Sequence, residues 1–130
     1  MAVSELSQTL DGVAGKVRGP DLHGTTSIAG ENQTALITLA RPERRNAISP
    51  EMIEDLLAAL GAVETGPERV AIIIGEGVAF CSGMDLDALR KQIGQSPEET
   101  LASARRTATL FRRLWSFPKP LIAAVNGAAL

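Results

Sequence analysis

The chain has 130 residues, of which 45% are hydrophobic and 22% charged, a balance that suits one core of the usual ~100–150-residue size. Its 13 Lys and Arg against 15 Asp and Glu give a formal charge of -2, so no broad field gathers nucleic acid or an anionic membrane surface. One cysteine, Cys81, and one histidine, His23, exclude an internal disulfide and ordinary zinc coordination, and the chain reads as metal-free and cytoplasmic.

Residues 1 to 21 mix small, polar and charged side chains around Gly12, Gly15, Gly19 and Pro20 and read as a flexible arm. Their start, MAVSELSQTL, lacks the basic and then apolar pattern of a secretory signal. The segments LHGTTSI and TALITL, separated by the turn-rich AGENQ, predict an antiparallel hairpin. ARPERRNAIS cannot continue a strand, because Pro42 removes a ladder donor, and it is read as a loop.

Ser49 as N-cap, Pro50 as first helical residue and Met52, Ile53, Leu56, Leu57, Leu60 and Val63 at three-to-four spacing predict an amphipathic helix over about 50–64. Gly66-Pro67 stops it, and VAIII (70–74) has the unbroken apolar pattern of a strand buried on both faces. After Gly75, Gly77 and Gly83, a short helix is expected from Met84 to about Ile93. Ser96-Pro97-Glu98-Glu99 forms a capping box that opens a second long helix, with Leu101, Ala104, Ala108, Phe111 and Trp115 expected to face the core. Pro118 and Pro120 end it, and LIAAV (121–125) reads as another fully buried strand before the Asn126-Gly127 turn.

Strands alternating with long helices make the chain α/β. The longest apolar runs fall far short of the ~20 residues of a membrane span, and four aromatics (Phe80, Phe111, Trp115, Phe117) give no stacking platform for single-stranded nucleic acid. Two buried-type strands with so few helices to cover them suggest the amino-terminal part of a larger domain, over residues 22–130.

The segment AFCSGMDL leads from a buried strand through Gly83 into a helix start. Main-chain N–H groups there lack internal partners and carry partial positive charge, so they suit a ligand oxygen that gains negative charge. Gly83, without a side chain, permits close approach of that ligand. The simpler reading, a tight turn with hydrated N–H groups, fits the same residues. Cys81 next to Ser82 is read as a small packed residue and not as a nucleophile, since no base lies near it in sequence.

In order, RPERRNAIS followed by a helix, VAIIIGEGVAFCSGMDLDAL and PKPLIAAVNGAAL resemble the enoyl-CoA hydratase/isomerase family, the crotonase superfamily, over about Leu36 to Leu130. The resemblance implies a crotonase-type ββα spiral, of which this chain supplies the amino-terminal repeats. It further implies an acyl-CoA thioester ligand, with coenzyme A arriving as part of the substrate and no permanently bound cofactor. Hydration of a 2-enoyl-CoA through an oxyanion-stabilised enolate is the leading reaction that it implies. The alternative is a catalytically incompetent fragment that serves only as a packing or oligomerisation partner.

By the same resemblance, the main-chain N–H of Met84, after Gly83, is one oxyanion donor. The second donor and the catalytic glutamates fall beyond Leu130. Arg44 and Arg45 become candidates for the CoA phosphates, and Ala47 a main-chain contact to the adenosine part. Cys81, Ser82, Asp85 and Leu86 are further CoA-side neighbours. Relatives often carry a basic residue shortly after the aspartate equivalent to Asp85, where this chain has Asp87. The resemblance also implies a homo-oligomer, a trimer or dimer of trimers.

Overall fold

A computed structural model describes residues 23–130; the arm expected over 1 to 21 lies outside them. The hairpin forms as β1 (Thr26–Glu31) and β2 (Thr34–Leu39), paired antiparallel from Thr26↔Leu39 to Glu31↔Thr34. Its turn is tighter than AGENQ suggested. Only Asn32 and Gln33 lie outside the strands, both at positive φ (47° and 65°), which gives the backbone twist that a two-residue hairpin needs.

A short 3-10 turn, Pro42–Arg44, begins the loop, and α1 (Pro50–Thr65) follows. The Ser49 side chain accepts the Met52 N–H as expected of an N-cap. At the far end Lys119 Nζ donates to the Val63 and Gly66 carbonyls at 2.6 and 2.9 Å, giving acceptors otherwise left without helical donors a cationic cap. β3 (Val70–Gly75) pairs parallel to β2, and β5 (Leu121–Ala124) parallel to β3, so the main sheet runs β1-β2-β3-β5. Between β3 and β5 lie β4 (Ala79–Cys81), α2 (Leu86–Lys91) and α3 (Pro97–Trp115). β4 pairs with the two-residue β6 (Ala128–Ala129) in a second small sheet.

The core forms where α1 lies on the main sheet. Ile37, Met52, Leu60, Val63 and Leu110 are its fully enclosed large side chains, each contributing about 1.5–3 kcal/mol of transfer free energy. A second tie is polar. Buried Asp55 on α1 accepts from the Thr25 N–H at 2.9 Å and from the Thr25 hydroxyl, and its other oxygen lies 2.9 Å from His23 Nδ1. His23 therefore anchors the start of the hairpin to the helix.

Three expectations need correction. The short helix begins at Leu86, not Met84, because Asp85 is its N-cap and Met84 is drawn into an isolated parallel bridge with Ile48. On α3 the side facing α1 carries Ser103, Thr107, Leu110 and Leu114, and only Leu110 is fully buried. The expected core stripe is open, with Phe111 52% and Trp115 93% exposed. The helix has two apolar stripes, and periodicity selected the one interrupted by fewer hydroxyls. β5 is a sheet edge, and Ile122, in register with Ile72, lies on the sheet face away from the α1 core and is half exposed. Among the described residues no helix is long and apolar enough to cross a membrane.

Candidate active site

The site is assembled where the Arg41–Ile48 loop meets the turn after β4. Three main-chain hydrogen bonds join them: Ser82 N–H to the Arg45 carbonyl at 3.0 Å, Ile48 N–H to the Gly83 carbonyl at 2.8 Å, and Asp85 N–H to the Ile48 carbonyl at 2.9 Å. In a parallel bridge of this kind Ile48 engages the residues on either side of Met84. The N–H and carbonyl of Met84 itself therefore face away from Ile48. Among the described residues no acceptor takes the Met84 N–H. Position 83 has φ +84°, a left-handed conformation that glycine adopts freely, and a Cβ built there would lie 3.5 Å from the Leu130 carbonyl oxygen. Leu130 reaches this point through its own N–H, which donates to the Cys81 carbonyl at 3.0 Å.

Met84 also stands between two cavities. One, of about 370 Å³, is walled by apolar side chains including Ile48, Phe80, Leu110 and Leu114, with Gly83 and Leu130 at its rim. The other, of about 570 Å³, is mixed in character and is lined by Arg41, Glu51, Glu54, Gln92, Ser103 and Arg106 among others. An exposed N–H beside an apolar recess can hold a carbonyl oxygen while an acyl chain leaves water.

Two asparagines brace the loops around this turn. Fully buried Asn46 accepts the Arg41 N–H at 2.9 Å and donates to the Glu76 and Ala79 carbonyls at 3.0 and 2.8 Å. Asn126 accepts the Gly75 N–H and donates to the Gly75 and Gly77 carbonyls. Sequence reasoning assigned neither a role. The available signal was Asn46 in a loop, since asparagine tolerates the left-handed φ of 55° that it adopts.

The structure places the remaining candidates unevenly. Asp85 is 4% exposed; its carboxylate accepts from the Asp87 and Ala88 N–H groups and from Arg41 at 3.1 Å and Arg44 at 3.4 Å. Burial raises its pKa, but hydrogen bonds from Ala88, Arg41 and Asp87 and the nearby Arg44 charge outweigh this and hold it below the ordinary carboxylate value. It acts here as a cap and anchor. Ala47 is buried, with its N–H on the Arg44 carbonyl and its carbonyl accepting Arg41 Nη1 at 2.8 Å. Ser82 Oγ lies 3.4 Å from the Arg44 carbonyl, Cys81 is buried, and Leu86 is exposed at the start of α2.

Arg44 is ion-paired with Asp87 and, more distantly, with Asp85, which raises its pKa. Arg45 is exposed and makes no ion pair among the described residues. Arg41, unassigned from sequence, is the most enclosed of the loop arginines.

A family model described as Enoyl-CoA hydratase/isomerase matches residues 29–130. The chain belongs to that family. It is 39% identical over 101 residues to the 1,2-epoxyphenylacetyl-CoA isomerase of Escherichia coli, covering 76% of this chain and 38% of that protein. It is 34% identical over 106 residues to the hydroxycinnamoyl-CoA hydratase-lyase of Pseudomonas fluorescens, covering 79% of this chain and 38% of that one. Among solved structures, an enoyl-CoA hydratase from Shewanella pealeana superposes with a TM-score of 0.79 at 32% identity, covering 84% of this chain and 41% of the other. The fold is thus of crotonase type. The chain spans about two fifths of the length of these enoyl-CoA hydratase/isomerase relatives.

Proposed function

We propose that the chain binds the thioester of an acyl-CoA, with the Met84 main-chain N–H donating to the carbonyl oxygen. The observation that carries this reading is that among the described residues nothing accepts the Met84 N–H, while Met84 and Gly83 both line an apolar cavity. The apolar recess takes the acyl chain. The loop arginines, Arg45 first and Arg44 after release from Asp87, take the nucleotide phosphates, because a planar guanidinium can donate two hydrogen bonds to one phosphate. Coenzyme A enters with the substrate, and no resident cofactor is part of this reading.

For a complete enzyme the reading extends to hydration of a 2-enoyl-CoA through an enolate whose negative oxygen the donor stabilises. Removing one such donor costs roughly 3 kcal/mol of barrier. The names of the relatives include a hydratase-lyase and an isomerase, each of an acyl-CoA, which supports the ligand class more than it supports either reaction. Assembly into a trimer or dimer of trimers, and a cytoplasmic location, belong to the same proposal; sedimentation of the purified chain tests the first.

The binding test is a pair of substitutions followed by calorimetric titration with a saturated acyl-CoA. Gly83→Val forces a side chain into a left-handed position and towards Leu130, and thioester binding is expected to disappear. Met84→Leu retains the N–H and nearly the same volume, a change that usually costs under ~1.5 kcal/mol, so binding should persist within about tenfold. A folded Met84→Leu chain that no longer binds, beside a Gly83→Val chain that does, would make the thioether the working group and overturn the main-chain reading.

A further inference from the structure

The first turn of α2 carries an acid within reach of the cation that the nucleotide end of the ligand would need. Asp87 is exposed, and one of its carboxylate oxygens engages Arg44 Nη2, across 43 residues of sequence. Its other oxygen lies 3.7 Å from Arg90 Nη1. Arg44 has few other ties, reaching only Asp85 at 3.4 Å.

The two acids beside Arg44 are not equivalent. Asp85 is buried and committed to capping α2 and holding Arg41. Asp87 caps nothing among the described residues; it sits in solvent, and Arg90 is placed to retain it if Arg44 leaves. A carboxylate and a phosphate oxygen ask the same of a guanidinium, so the two compete for one fork.

We propose that Asp87 is an internal competitor for Arg44, so that a phosphorylated nucleotide end must displace this carboxylate and Asp87 weakens the binding of that end. This rests on the reading that the arginine loop takes the nucleotide end of CoA. Displacement costs one exposed ion pair, which is weak, and Asp87 passes to Arg90. Asp87 thereby tunes affinity without taking part in any chemical step.

The test is NMR titration of the 130-residue chain with adenosine 3′,5′-bisphosphate. Asp87→Asn, with Asp87→Ala as a second variant, is expected to tighten binding about three- to tenfold, the combined effect of a freed cation and a removed anion near the phosphate. The gain should shrink clearly when Arg44→Ala is added, since only the weaker contribution of the removed anion then remains. Glu43→Gln is the control, because it removes the same charge from an exposed loop neighbour that makes no ion pair among the described residues. Unchanged or weaker binding by both Asp87 variants, or an equal gain from Glu43→Gln, overturns the competitor role. The loop reading fails separately, if no variant binds at millimolar ligand or if Arg44→Ala with Arg45→Ala leaves binding intact.

Discussion

The half of the molecule built on α1 and the half built on α3, β5 and β6 put their apolar residues to different ends. Around α1 the apolar residues meet the sheet, and Met52, Leu60 and Val63 are enclosed. Around α3 apolar side chains stay open, with Phe111, Trp115, Ile122, Val125 and Leu130 exposed. Hydrophobic patterning says that a face suits burial; whether it is buried depends on what the topology brings against it. The Gly83–Met84 turn lies on the seam between these halves. Gly83 is fixed from the closed side through Ile48 and meets Leu130 on the open side.

Substitution in each half separates them. The largest effect is expected at Leu60→Ala, which opens a cavity in a fully packed site and should cost about 2–5 kcal/mol in denaturant unfolding. Asp55→Asn should come next, at about 1–3 kcal/mol, since it disrupts the buried tie to Thr25 and His23. That tie also has a pH signature. Burial raises the Asp55 pKa, but hydrogen bonds from Thr25 and His23 more than offset it and leave the folded value depressed. A depressed carboxylate stabilises the fold above its unfolded pKa, and the contribution is lost as pH falls through the folded value. Unfolding free energy should therefore decline more steeply on acidification below about pH 4 in the parent chain than in Asp55→Asn.

Glu54→Gln removes the exposed pair with Arg106 that links α1 to α3 and should cost only about 0.2–1 kcal/mol, less at high salt. The smallest effect belongs to Trp115→Ser, expected within about 0.5 kcal/mol because the side chain is already in water. A multi-kcal/mol loss at Trp115 would mean that the open half is covered in solution, and the comparison would collapse.

Local signals were legible wherever one stretch of chain specified its own structure. The Ser49 cap, the Ser96/Glu99 capping box and the β3 run all follow from neighbours in sequence. Gly83 was legible for the same reason, as a turn residue free of side chain between strand and helix, whereas Met84, read as the start of that helix, stands before the Asp85 cap in a bridge with Ile48. What escaped depended on contacts distant in sequence. Arg41 meets Asp85, Asn46 meets Glu76 and Ala79, and Arg44 meets Asp87, and no periodicity encodes such pairings. The exposure of the Phe111 and Trp115 stripe was hidden for a related reason, since the polar Ser103 and Thr107 occupy the side that faces α1.

The proposed role of the Met84 main-chain N–H, donation to a thioester oxygen, can be followed at that atom. The most direct measurement follows that amide by heteronuclear NMR while the 130-residue chain is titrated first with free CoA and then with a saturated acyl-CoA. A downfield shift of the residue 84 amide proton is expected with the thioester alone, retained in Met84→Leu, while amides of the Arg44–Arg45 loop respond to both ligands. Loop amides that shift with acyl-CoA while the residue 84 amide stays unmoved, or moves equally with free CoA, would contradict it.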